Sequence, residues 1–228
     1  MSEQANAPET TSLPEIITPS NKEVIVIAEQ YKGSIQPVTY ELLGIGRDLA
    51  DKLGGKLSCF FLGHQISHLA EKLIHHGADE VYLADHPELE LYRTLPYKRV
   101  ITSYIKSWEL PPHIVLLGSS TTGRDLAPRI AANCGTGLTA DCTELDIGPY
   151  EHTNKADPDK LGTYPGYLYA IRPSFGESLK ARILGPWNNP QMATARPGTF
   201  IPIRPEKGKS PRCRCTCNLR ISVWKCLR

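Results

Sequence analysis

Apolar residues along this chain fall into short solid runs, separated by longer segments in which they recur every three or four positions. EVIVIAE (residues 23–29), KLSCFFLG (56–63), EVYLAD (80–85) and HIVLLGSS (113–120) are runs of the first kind. Such runs, rich in β-branched and aromatic side chains and without polar alternation, predict strands buried on both faces. Between them, TYELLGIGRDLADKLGG (39–55) places Leu42, Leu43, Leu49 and Leu53 at helical spacing and stops at Gly54-Gly55. SHLAEKLIHHGAD (67–79) predicts a second helix closed by Gly77, and residues 93–108 a third, ended by Pro111-Pro112. A fourth opens at TGRDLAPRIA (122–131). Strands alternating with amphipathic helices predict an α/β fold: a parallel, doubly wound sheet covered on both faces.

The rhythm changes after residue 146. YLYAIRPS (167–174), SLKARILGP (178–186) and MATARPGTF (192–200) are strand-like and leave no room for crossover helices. They predict strands, antiparallel in part, that extend the sheet. TGLTADCTELD (136–146) predicts a tight, threonine- and acid-rich reversal after the fourth helix. IGPYEHTNKADPDKLGTYPG (147–166) predicts a surface loop.

Charge divides the chain more sharply than its net value of +2 suggests. Residues 207–228 hold seven Lys or Arg and no acid, which leaves nineteen basic and twenty-four acidic residues before them, a net charge of −5. An acidic body argues against a nucleic-acid surface. No apolar run approaches the ~18 residues of a membrane span, and the first residues lack a basic-then-apolar secretion signal. The expectation is a cytoplasmic protein without membrane insertion. Cysteines divide the same way: Cys59, Cys134 and Cys142 are dispersed, whereas Cys213, Cys215, Cys217 and Cys226 crowd the tail. Dispersed cysteines read as small core hydrophobes. The one-residue gaps of CRCTC fit no standard zinc spacing, so a tail that binds a soft metal is the weaker reading.

Candidate chemistry centres on GSSTTGRDLAPRIA (118–131). Ligands of open α/β sheets lie at the carboxyl ends of strands, where helix N-termini offer free N–H groups and partial positive charge. Ser119, Ser120, Thr121 and Thr122 supply hydroxyls there. Arg124 supplies a fork of donors suited to phosphate, carboxylate or a flavin carbonyl. The same residues also make an ordinary capped helix start, with Asp125 favouring the first turn. Neither GxxxxGK[ST] nor GxGxxG follows a strand, and GIGRDLA (44–50) lies inside a helix pattern. Asp141, Thr143 and Glu144 could order neighbouring backbone or read a nucleotide's donors, and Cys142, with no histidine nearby in sequence, reads as a core thiol. His64, His68, His75 and His76 form no metal motif, and the adjacent pair reads as helix C-terminal capping.

Taken together, GRDLAPRIA, TGLTADCTELDI, RPSFGE and PQMATARPGTF, in that order, resemble the N-terminal domain of the electron transfer flavoprotein alpha subunit. VIAEQYKGSIQPVTYELLGIGRDLADKLGGKL and HHGADEVYLADHPEL fit it as well. The resemblance implies a sheet of the adenine-nucleotide-hydrolase-like type in a heterodimeric electron carrier. A beta subunit of similar fold would be the partner, and an acyl-CoA or other dehydrogenase the electron donor. FAD would be held mainly by the beta subunit and by a C-terminal alpha domain. The intact GRDLAPR and TGLTADCT motifs are most similar to members that include electron-bifurcating ones. There Thr121, Thr122 and Arg124, with Thr139 and Asp141, are the positions implied to lie nearest the flavin.

Two departures bear on this. Glu177 stands where many relatives have glycine after RPAFG, and the FAD domain expected after RPGTFIPIRPE is replaced by the basic, cysteine-rich run. The resulting division is a disordered leader (1–22), the alpha N-terminal domain (23–203) and a tail (204–228) that reads as a truncation or frameshift product. A different class of function, a stand-alone AMP- or ATP-binding module using the turn at 119–124, is the alternative.

Overall fold

The first strand, β1 (Val24–Ala28), is buried throughout, and its side chains divide by parity. Val24, Val26 and Ala28 enter one core, and Ile25 and Ile27 the other. Successive side chains of a strand point to opposite faces, so a solid apolar run needs two covering layers. The computed structural model, which describes residues 20–154, 156, 161–174, 178–185 and 188–205, supplies both. The leader through residue 19, Glu177 and the tail from residue 206, including CRCTC, lie outside the described residues.

After β1 come a two-residue-per-strand hairpin, β2 (Gln30–Tyr31) and β3 (Ser34–Ile35), and then α1 (Pro37–Leu53). The units β4 (Leu57–Gly63), α2 (Ala70–His75), β5 (Glu80–Asp85), α3 (Thr94–Lys106), β6 (Ile114–Gly118) and α4 (Thr121–Cys134) follow. Leu42, Leu43, Leu49, Leu73 and Ile74 of α1 and α2 pack in the first core, with Val26, Cys59 and Phe61. Val100, Ile101, Ile105, Leu126 and Ile130 of α3 and α4 pack in the second, with Ile25, Phe60 and Leu117. Each such side chain, fully buried, contributes about 1.5–3 kcal/mol. The predicted helices and strands of this half are all present.

The second half corrects three expectations. Residues 136–146 are not a reversal: Gly135 ends α4 in the left-handed conformation, and β7 (Leu138–Cys142) is a strand that runs on into β8 (Glu144–His152). Much of the expected loop at 147–166 is sheet, because β8 pairs antiparallel with β9 (Gly162–Ser174) from Glu144↔Ile171 to His152↔Gly162. β10 (Leu179–Ile183) pairs antiparallel with β9, so these three strands form a sheet of their own. The last run, β11 (Gln191–Ala195), returns to the main sheet, parallel to and between β6 and β7.

The main sheet is thus six-stranded and parallel throughout, in the order β5-β4-β1-β6-β11-β7. Leu145, Leu168 and Ala170 lay the antiparallel sheet against the α1 side of the core, and Lys52 of α1 meets Asp146 of β8 at 2.5 Å. Connectivity reverses direction between β1 and β6, which puts a crevice at their carboxyl ends. Among the described residues, no helix is long and apolar enough to cross a membrane.

Candidate functional site

Parallel pairing brings the carboxyl ends of β6, β11 and β7 to one edge, and hydrogen bonds carry the ladder past them. Ser119 N–H donates to Ala195 O at 2.7 Å, and Arg196 N–H to Cys142 O at 2.8 Å. Below this rim, the buried hydroxyls of Ser119 and Thr194 meet at 2.8 Å, and Thr194 Oγ1 accepts the Asp141 N–H at 2.9 Å. Register slips in β11–β7 at this point, and Asp141 has φ +62°. Aspartate is among the few residues that adopt the left-handed conformation readily. The bulge turns its carboxylate out of the strand's alternation and along the rim.

Three guanidinium groups surround that carboxylate. Arg196 donates through Nε to Asp141 Oδ1 at 3.3 Å and through an Nη to Oδ2 at 2.9 Å, a two-point grip. Arg124 approaches Oδ1 at 3.7 Å, while its Nε donates to Ser119 O at 2.8 Å. Arg196, then Arg124 and Arg172 of β9, hold the Asp141 carboxyl below the usual carboxylate range. One carboxylate against three guanidiniums leaves the rim positive. The Arg124 side chain is 66% exposed, so most of its fork faces outward.

The crevice between β1 and β6 differs in character. Glu29, just past β1, accepts from Ser120 Oγ at 2.7 Å, and Ser120 Oγ accepts the Gly123 N–H at 3.0 Å as the cap of α4. The protein's own carboxylate therefore sits at the positive end of α4. Burial raises the Glu29 carboxyl above its ordinary range, against the hydrogen bonds from Ser120 and Gly118. Gly123 is required by space: a Cβ there would stand 1.8 Å from Gly118 O.

The sequence-predicted residues do not all meet. Arg124 and Asp141 lie together, and Thr121 and Thr122 share the first turn of α4, Thr121 exposed and Thr122 half-buried. Thr139 lines a separate cavity of about 200 Å³ together with Leu168, Ala170, Ile183, Gln191 and Met192. Asp125 does more than favour a helix start: it accepts from Tyr92 OH at 2.7 Å and Thr94 Oγ1 at 2.5 Å, tying α3 to α4. Cys142 is buried, which pushes its thiol up to about 12, as suits a core thiol. His76 caps α2 through Nδ1, 2.7 Å from Lys72 O. Among the described residues, no group of three or more His, Cys, Asp or Glu could hold a metal.

Arg196, Thr194 and Glu29 escaped the sequence reading. QMATA carried the signal for the first two: five buried residues without a polar face make a central parallel strand, whose carboxyl end is Thr-Ala-Arg.

A parallel sheet of this order, with an arginine-lined rim at its carboxyl edge, defines a nucleotide-binding-like α/β domain. The family model of the electron transfer flavoprotein domain matches residues 24–214, and the chain belongs to that family. It is 46% identical over 179 residues to the protein FixB of Clostridium saccharobutylicum, covering 78% of this chain and 48% of that one. It is 41% identical to the electron transfer flavoprotein subunit alpha of Megasphaera elsdenii, with the same coverage. It is 35% identical over 188 residues to the lactate dehydrogenase (NAD(+),ferredoxin) subunit LctC of Acetobacterium woodii, covering 82% of this chain and 40% of that one. The chain spans about half the length of these curated relatives.

Proposed function

We propose that this chain is the N-terminal domain of an alpha-type subunit of an electron transfer flavoprotein, covering residues 23–203, and that it works by packing against a beta-type subunit. In this reading the partner holds FAD, and the rim of Thr121, Thr122, Arg124 and Asp141 faces it. The observation that carries the reading is the charge balance of the rim: three guanidiniums on one carboxylate, with Arg124 directed outward. FAD would supply the electron chemistry, cycling between oxidised and reduced forms. The chain's part is electrostatic. A fixed cation beside the ring system favours states that carry more negative charge.

Each rim residue then has a distinct task. Arg124 is the cation on offer, with its Nε anchored to Ser119 O so that the fork has one orientation. Asp141 is a positioning residue, because both of its oxygens are engaged by arginine. Thr139, on the cavity side of β7, belongs to the proposed flavin surface only if the partner reaches across that strand. The edge strand β10 carries Leu179 and Ile183 exposed, which suits it to cover by a second subunit. Electron delivery from a dehydrogenase, and any bifurcation, belong to the complete assembly.

The stand-alone AMP or ATP reading meets a physical obstacle. Its phosphate would have to share the α4 N-terminus with the Glu29 carboxylate, already seated on Ser120. Like charges at that separation repel in a partly buried site.

The test is reconstitution. The chain mixed with a beta-type subunit and FAD should co-elute with that subunit and with flavin absorbance, whereas the chain alone should retain no stoichiometric flavin. Stoichiometric FAD, or sub-millimolar AMP, bound by the isolated chain would sink this reading.

A further inference from the structure

The chain leaving β11 does not hang free. Residues 196–205 read RPGTFIPIRP, and prolines at 197, 202 and 205 deny the segment a helix or a ladder. It is held instead by a single side chain. The Glu41 carboxylate, on α1, accepts the N–H of Gly198 at 2.8 and 3.0 Å, of Thr199 at 3.2 Å and of Phe200 at 3.2 Å. Three consecutive amides converging on one carboxylate make an anion nest, here filled from within.

Two further contacts extend the grip. A Cβ on Gly44, one turn along α1, would stand 2.3 Å from Ile201 O, so the backbone lies directly on the helix at that point. A Cβ on Gly77, just after α2, would stand 2.9 Å from Ile203 Cδ1. The Phe200 ring packs on the first core, whereas Ile201 is 86% exposed: the helix holds this residue by its backbone. The strap begins at Arg196, the residue that grips Asp141.

We propose that Glu41 is a latch. By seating the amides of residues 198–200 it clamps the strap across α1 as far as Ile203, so that movement of the chain beyond Ile203 is not transmitted to the Arg196–Asp141 pair. The strap separates a fixed arginine rim from whatever moves after it. This inference stands on the strap's contacts and does not depend on the flavin reading.

Amide hydrogen exchange on the full chain tests it, with Glu41→Gln as the first variant. Gln keeps the size but loses the charge that strengthens the nest. Exchange at Gly198, Thr199 and Phe200 should accelerate roughly tenfold while Arg196 and Asp141 amides stay protected. Gly44→Ala is the second variant and serves even if the first fails to fold. Its methyl must lift the strap off α1, so exchange at residues 199–203 should accelerate with β1 and β6 unchanged. Unaltered exchange at 198–200 in a folded Glu41→Gln, or at 199–203 in Gly44→Ala, overturns the latch. Loss of protection at Arg196 and Asp141 together with the strap overturns the separation.

Discussion

The Arg196 guanidinium grips both carboxylate oxygens of Asp141, at 2.9 and 3.3 Å, across the carboxyl ends of two neighbouring parallel strands. The pair joins the last strand to enter the sheet with the strand at its edge, and it does so at a bulge where regular pairing is lost. Side chains here take over from the ladder. They also fix where the rim's positive charge lies.

Asp141→Asn should leave the fold intact and lower stability at neutral pH by about 1 kcal/mol, a value that allows for partial exposure of the pair. Its pH dependence is the sharper test. The folded-state carboxyl lies below its ordinary 3.8, with Arg196 the leading cause. Stability from this group is therefore complete above the unfolded value and disappears as pH falls through the depressed one. Denaturant midpoints below about pH 4 should converge for the two proteins. A constant difference down to strongly acid pH would contradict the pairing.

Glu29 should behave in the opposite sense. Burial raises its folded-state carboxyl above the ordinary 4.5, so the native state binds the proton more tightly than the unfolded chain. Stability from this group is greatest below the unfolded value and declines as pH rises through the folded one. Glu29→Gln, which keeps an acceptor for Ser120, should abolish that decline and be the more stable protein at neutral pH. Equal pH slopes for the two proteins would remove Glu29 as the internal anion of α4.

Gly123→Ala tests how closely α4 is seated. Alanine favours a helix interior by about 1 kcal/mol over glycine, yet its methyl would stand 1.8 Å from Gly118 O. Overpacking of that kind costs about 1–3 kcal/mol, and contact with backbone places this case at the upper end. Net destabilisation measured by thermal melting is the expected outcome. A stabilised variant would mean that α4 shifts at little cost.

The first half of the fold was legible because each strand there is a solid apolar run, such as VIVIA, followed by a helix with leucines at clear spacing. Legibility failed where one residue type serves two structures. Threonine, aspartate and glycine in TGLTADC suit a turn, but Gly135 already ends α4, and the rest is an edge strand whose polar residues face the rim and the cavity. YEH and GTY, isolated among turn residues, are strand only because they pair with each other across the hairpin. Arg124 and Asp141 could be named from motifs. Their partner Arg196 could not be placed until QMATA was recognised as a parallel strand rather than one arm of a hairpin.

The central claim is that Arg124 is a cation presented to a flavin held by another subunit, and not an internal brace. The deciding measurement is the reduction potential of FAD bound in the complex of this chain with a beta-type subunit, compared between the native sequence and Arg124→Ala. Because Arg124 is largely exposed, its loss should leave the stability of the chain within about 0.5 kcal/mol while lowering the potential by on the order of tens of millivolts. An unchanged potential, with the variant chain losing stability instead, would contradict the account.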